Sequence, residues 1–289
     1  MEILYQQFIR ERQYLHNVSP NTVDGYQWAW KAFEPALAGR SCVAKAELLQ
    51  RIEELRQRGL SSVTINTYSR SVNAFCHWLF NEGHAPTHLQ IPRLKEQENV
   101  LATLTQDQVA KLVAFRTTTL TERRTHMLAC LILDTGLRIS EALSLKRQSD
   151  IDLDQAVITV RHGKGGKSRA VPISHQLRRL LFKFTQQHRP QYGDLLFFAD
   201  AGEPLEQRNA LRDFKQVCKR LGVTGVRCSF HTLRHSFALA YVKRGGDVFR
   251  LQRILGHAKL EMSRRYVNLS LDDLQEVHQQ LSLLATTRR

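Results

Sequence analysis

Apolar positions recur at helical spacing along most of the chain. Ile65, Tyr68, Val72, Phe75 and Leu79 step by three and four, which puts them on one face of a helix opening near Ser62 and closing at Gly83. Upstream, Ser19 reads as an N-cap and Pro20 as a first helical residue, ahead of a run through Trp28, Trp30 and Phe33. Residues 1–90 therefore read as helices. GHAPTHLQIPRLKEQEN follows, with prolines at 86 and 92 and no period, the composition of a linker. Thr105-Gln106-Asp107-Gln108 forms a capping box before a second helical series. A buried helix around His126–Leu133, a turn at Gly136 and a helix through Ile139, Ala142, Leu143 and Leu145 come next. AVITVR (156–161) and RAVPI (169–173) flank a glycine-rich loop and predict a hairpin. Helical patterning returns near 174–187, 207–221, 231–244, 247–255, 260–267 and 271–284. The expected fold is mainly α: an N-terminal helical bundle (1–85), a linker (86–102), and a mostly helical domain with a small antiparallel β-sheet (103–289). Its last helix, 271–289, carries an apolar stripe of Leu274, Val277, Leu281 and Leu284 that needs a groove to cover.

Length and charge sharpen this picture. The 289 residues suit two domains better than one core. Forty-two Lys+Arg against 27 Asp+Glu leave a formal charge of +15. The excess is uneven: residues 1–95 hold 11 basic and 8 acidic side chains, residues 96–289 hold 31 and 19. Such a field attracts phosphate polymers, although RNA or an anionic membrane surface fits composition alone as well as DNA does. The longest uncharged apolar run, Met127 to Leu133, is seven residues, too short for a membrane span. The first twenty residues carry charge throughout, unlike a signal peptide. None of the five cysteines sits in C-x-x-C, which argues for a reducing cytosol and against disulfide scaffolding or thiolate-bound zinc.

Several segments carry candidate chemistry. The loop 162–168 (HGKGGKS) fails as a P-loop because Arg161 occupies the first glycine position, and as a dinucleotide fingerprint because Ser168 occupies the third. It reads instead as a hairpin tip presenting Lys164, Lys167 and Arg169 to solvent. His231 and Arg234, at i and i+3, stack on a helix face and suit an oxyanion: the guanidinium forks onto two oxygens while the imidazole donates or shuttles a proton. His231, His235 and His257 leave zinc open, but no Glu follows the first His as in H-E-x-x-H. His235, one position past Arg234, reads as structural. Arg138 opens a helix, where backbone N–H groups already favour an anion; the competing reading is an ion pair with Glu141 or Asp134. Tyr266, close to Arg264 and Arg265, is a candidate nucleophile.

In order, Arg138, Lys164, His231 with Arg234, His257 and Tyr266 resemble the catalytic series of the tyrosine recombinase (phage-type integrase) superfamily. TGLRISEALSL is similar to its first arginine motif, GKGGKSRAVPI to its lysine hairpin, and HTLRHSFA to its His-x-x-Arg motif. LGH, with a tyrosine nine residues on, is similar to its final pair. The likeness spans about residues 100–270, and SPNTVDGY and SSVTINTY look like helix starts of the family's SAM-like core-binding domain; the length is closest to the Xer-like bacterial branch. The resemblance implies cleavage and rejoining of DNA through a covalent 3′-phosphotyrosine, with no metal, ATP or other cofactor. Tyr266 would attack phosphorus, and Arg138 and Arg234 would neutralise the phosphoryl oxygens. His231 would take the tyrosine proton or bond the phosphate, His257 would hold a phosphoryl oxygen, and Lys164 would protonate the leaving 5′-oxygen. Implied partners are duplex DNA bearing specific sites and a tetramer on synapsed DNA, of this chain alone or with a related recombinase, in the cytoplasm at the nucleoid and off the membrane. Lys167, Arg169, Arg208, Arg212, Lys215 and Lys219 are candidate DNA contacts, on the hairpin and the helix 207–221; the helix 62–82 is another. Competing readings are a type IB topoisomerase and a non-catalytic DNA-binding relative. A metal-dependent nuclease fits least, for want of a carboxylate cluster near the His-x-x-Arg helix.

Overall fold

A computed structural model of the chain describes residues 1–40, 42–96, 102–161, 168–187, 193–199, 202–257, 260–264, 266 and 278. It contains two compact units, Met1–Asn99 and Val100–Arg289.

The first unit is built from α1 (Glu2–Tyr14), α2 (Pro20–Leu37), α3 (Lys45–Gln57) and α4 (Ser62–Asn81). Ser19 and Ser61 cap α2 and α4 by accepting from the amides of Thr22 and Thr64. The inward faces meet in an aromatic core of Tyr5, Phe8, Phe33 and Phe75, all fully buried. Tyr5 and Phe75 meet edge to face at 4.7 Å between ring centroids, and Phe8 meets Tyr26 in the same way at 5.0 Å. The Tyr5 hydroxyl keeps a partner in this apolar setting by donating to the Tyr26 carbonyl at 2.7 Å. Burial, reinforced by Tyr26, pushes its phenol far above the usual range.

Part of the segment expected to be linker belongs to this unit. Asn66 and Asn73 lie two turns apart on α4, and each side chain pairs with one backbone residue of the following strap. Asn73 binds the amide and carbonyl of Ile91 at 2.8 and 3.0 Å, and Asn66 binds those of Leu94 at 2.9 Å each. Ile91 is buried beneath them. Aperiodic, proline-bearing sequence marks the segment as irregular, but an extended strap can be fixed by side-chain amides without any period.

The second unit runs α5 (Gln106–Val113), α6 (Leu120–Thr135), α7 (Ile139–Leu143), β1 (Ile151–Asp152), β2 (Val157–Val160), β3 (Arg169–Pro172), α8 (His175–Gln187), α9 (Gln207–Arg220), α10 (Phe230–Lys243), α11 (Val248–Leu255) and α12 (Glu261–Arg264). Every residue from Met127 to Ile132 is buried, so α6 is a central helix, packed against α8, α9 and α10. The antiparallel sheet has the order β1-β2-β3, with Ile158 opposite Val171 and Val160 opposite Arg169. Two-residue β1 is too short to show alternation, so the sequence pattern gives no sign of it. Among the described residues no helix is long and apolar enough to cross a membrane.

Candidate active site

Helix ends build the site. α6 stops at Gly136 and α11 at Gly256, both left-handed, leaving C-terminal carbonyls without intrahelical partners. Those carbonyls, carrying the negative end of each helix dipole, draw in three arginines. Arg234, on α10, donates to the Gly136 carbonyl at 2.6 Å and the Leu255 carbonyl at 3.0 Å. Arg138, the N-cap of α7, reaches the carbonyls of Leu255 and Gly256 at 3.4 and 3.3 Å. Arg169, on β3, donates to the Ile254 carbonyl at 2.8 Å. Both glycines need their positive φ, and a Cβ at either would also meet a neighbour: Phe237 and Leu255 at Gly136, Arg169 itself at Gly256.

One buried carboxylate ties two of the arginines together. Glu141 accepts from both terminal nitrogens of Arg169 at 2.9 and 2.8 Å, from Arg138 Nη1 at 2.9 Å, and from the Arg138 amide at 2.9 Å. Burial alone would raise this carboxyl, but the hydrogen bonds from Arg169 and the Arg138 backbone outweigh it and hold it below the ordinary range. Arg169 therefore corrects an expectation. It does not aim at solvent from a hairpin tip: strand alternation puts it on the inward face with Val171, and only 12% of its side chain is exposed.

Three histidines surround the arginines. His257 Nε2 lies 3.0 Å from Arg234 Nη2 and Nδ1 lies 2.9 Å from Ser263 Oγ. A guanidinium can only donate, so Nε2 accepts and the ring proton sits on Nδ1. Burial, then the charges of Arg234, Arg138 and Arg169, draw this imidazole down to about 4. His257 in this state braces an arginine rather than facing open space. His231, at the start of α10, is exposed. Loss of water around its ring, then Arg234, Arg227 and Arg138, hold its imidazole below the usual range.

Tyr266 lies just past α12, its ring buried against Ala238 and Val242 of α10 and Leu251 and Leu255 of α11. Its hydroxyl is 2.7 Å from Nδ1 of His235, and its charge would be felt at Arg234. His235 is the residue that sequence reasoning sets aside. It lies on the face of α10 that continues through Ala238 and Val242, at i+3 and i+7, and that is where the returning chain seats Tyr266. Glu141 is visible in the sequence only as a possible partner of Arg138 at i+3; its second and stronger partner, 28 residues away, leaves no local signal. Nδ1 of His235 and both ring nitrogens of His257 have partners, and among the described residues no group of three His, Cys, Asp or Glu is placed to hold a metal ion.

Of the remaining candidates, Lys164 and Lys167 lie outside the described residues, as does nearly all of the segment 271–289. Arg208, Arg212, Lys215 and Lys219 are exposed along α9, at spacings that share one side of the helix, with Arg212 also paired to Asp213 at 3.2 Å. Arg234 is buried and drawn down to about 10 by that burial and by Arg138, so it stays a cation at neutral pH. Three guanidiniums against one carboxylate leave the cluster positive, and Arg138 remains about a quarter exposed, so the cluster is open to an anion.

A tyrosine beside a positively charged, carbonyl-braced arginine cluster on a two-unit helical scaffold belongs with proteins that handle phosphodiesters. Residues 102–272 match the phage integrase family, and the chain belongs to it: it is a DNA strand-transferring enzyme of the tyrosine recombinase type. Tyrosine recombinase XerA of Thermococcus onnurineus is 26% identical over 270 residues, 93% of this chain and 92% of that protein. XerA of Saccharolobus solfataricus is 32% identical over 222 residues, 77% of this chain and 69% of its own. Among solved structures, the Tn1549 transposon integrase in complex with a circular intermediate DNA superposes with a TM-score of 0.79 at 21% identity, over 96% of this chain and 98% of that one. The likeness to that structure covers both units and agrees with a mainly helical fold carrying a small antiparallel sheet.

Proposed function

We propose that the protein is a site-specific DNA recombinase that cuts and rejoins duplex DNA through a 3′-phosphotyrosine on Tyr266. The observation that carries this reading is Tyr266 packed on α10, the helix that carries Arg234, and on α11, whose Leu255 carbonyl fixes that guanidinium together with the Gly136 carbonyl and His257. The Tyr266 oxygen attacks phosphorus, and the P–O5′ bond breaks. Arg138 and Arg234 offer guanidinium donors to the non-bridging oxygens, where charge builds in the pentacoordinate transition state. Because carbonyls and Glu141 hold the arginines in place beforehand, little reorganisation is needed when the phosphate arrives. His231, exposed beside Arg234, hydrogen-bonds the phosphate. His257 keeps Arg234 in register. Lys164 protonates the departing 5′-oxygen. The new phosphodiester conserves the bond energy, so a second 5′-hydroxyl reverses the step without ATP.

Duplex DNA is the substrate, carrying sites this chain recognises, and the basic stripe Arg208, Arg212, Lys215 and Lys219 on α9 contacts its phosphates. The segment 271–289 docks on a neighbouring subunit, so that four copies, or two of this chain with two of a related recombinase, act on synapsed sites in the cytoplasm at the nucleoid. Covalent trapping tests the chemistry. DNA fragments flanking the gene, nicked so that the cleaved end diffuses away, are mixed with protein in EDTA and run on denaturing gels. Wild type gives a protein-linked band and Tyr266→Phe gives none while still binding; a band from the Phe variant overturns the reading.

A further inference from the structure

We infer that His235 is a catalytic residue of this enzyme, the group that takes the proton from the Tyr266 hydroxyl as it attacks and returns it when the strand is rejoined. The inference rests on the reading of Tyr266 as nucleophile. Its observation is separate: Nδ1 of His235 and the phenol oxygen lie 2.7 Å apart, with ring centroids at 5.8 Å. That distance is a short hydrogen bond, within the reach a general base needs.

Consecutive residues on α10 divide the labour. Arg234 and His235 lie about 100° apart around the helix. Arg234 turns to the carbonyls closing α6 and α11, where the phosphate would sit. His235 turns to the adjacent side, toward the tyrosine packed on Ala238 and Val242. His231, one turn earlier, is exposed on the arginine side. His257 has its Nε2 lone pair on Arg234. His235 is thus the imidazole whose nitrogen already touches the nucleophilic oxygen.

With its own proton on Nε2, His235 presents the Nδ1 lone pair to the phenol. As Oη bonds to phosphorus, the phenolic proton moves to Nδ1, and the imidazolium formed lies beside a phosphate that has gained charge. The P–O5′ bond breaks and the leaving oxygen takes its proton from Lys164. In rejoining, the 5′-hydroxyl attacks and gives its proton back to Lys164, the P–Oη bond breaks, and Nδ1 returns the other proton to Oη. No proton is lost over the cycle and no co-reactant is required.

The test is single-turnover cleavage of the nicked substrate by the full-length protein, with His235→Ala, His235→Asn and Tyr266→Phe compared with wild type. Asparagine can place a polar atom near the position of Nδ1 and keep a hydrogen bond, but cannot carry the proton. Both His235 variants should bind DNA as wild type does and cleave about 10² to 10⁴ times more slowly, the range general bases contribute. Added imidazole should restore part of the rate to His235→Ala and none to Tyr266→Phe. Wild-type cleavage by either His235 variant overturns the inference, while cleavage by Tyr266→Phe overturns the reading beneath it. Should His235→Ala unfold, a slow His235→Asn that melts with wild type carries the test alone, and a fast one refutes it.

Discussion

Glu141 offers the sharpest test of how the arginine cluster is held. Its carboxylate is buried, 4% exposed, and accepts four hydrogen bonds, three of them from guanidinium nitrogens. Glu141→Gln keeps the shape, removes the charge, and turns an amide NH2 toward arginines that can only donate. Breaking one side of a buried ion pair costs about 3–5 kcal/mol, since the partner charge stays buried without compensation. In a unit of this size each kcal/mol shifts melting by roughly 2–4 °C, so the variant should melt on the order of 10 °C lower at pH 7. The loss depends on pH in a defined direction. The folded carboxyl titrates below its ordinary 4.5, so its contribution is complete above that pH and fades as pH falls through the lower folded value. Thermal melts of wild type and Glu141→Gln should therefore lie furthest apart at neutral pH and converge below 4.5. Asp154, 97% exposed and 3.8 Å from Arg178, provides the control: Asp154→Asn should melt with wild type. A Glu141→Gln protein that melts with wild type at pH 7, or a gap that widens on acidification, would refute the reasoning.

Other consequences are equally specific. Gly136→Ala forces a residue with φ of +64° and a Cβ 2.4 Å from Phe237 Cδ1, so it should melt well below Gly222→Ala, which has the same φ and open space. The Gly222 change should cost only about 1 kcal/mol. His257 titrates near 4 when folded against an ordinary 6.5, so the unfolded chain takes up a proton first and stability falls as pH drops across that interval. Melting of His257→Gln should show a shallower acid slope between those values. Replacing Lys215 and Lys219 by Ala should weaken DNA binding at all sequences alike and lower the slope of log affinity against log salt by about 0.9 for each phosphate no longer neutralised.

The helical spacing of Ile65 through Leu79, the capping box at Thr105 and the strands flanking residues 162–168 make most elements legible, because each is set by local periodicity and caps. The candidate catalytic series stands in the sequence as residue types in order. The support of that series is not. Glu141, Gly256 and the carbonyls of Gly136 and Leu255 act through contacts between segments up to 118 residues apart, and a carbonyl has no letter in the sequence. Arg169 reads as part of a solvent-facing tip because the loop's composition outweighs strand alternation, which in fact turns it inward. His235 is easily passed over because the His231–Arg234 pair marks one face of the helix, while the phenol returns to α10 on another side. Asn66 and Asn73 give no sign that they bind the strap, since asparagine on a helix usually just meets solvent.

The central claim is that Tyr266 carries the DNA. Its most direct test is mass spectrometry of the trapped adduct after nuclease and protease digestion. The peptide containing Tyr266 alone should gain the mass of a nucleotide, linked through the 3′-phosphate. A nucleotide on any other residue, or one attached through its 5′-phosphate, would contradict it.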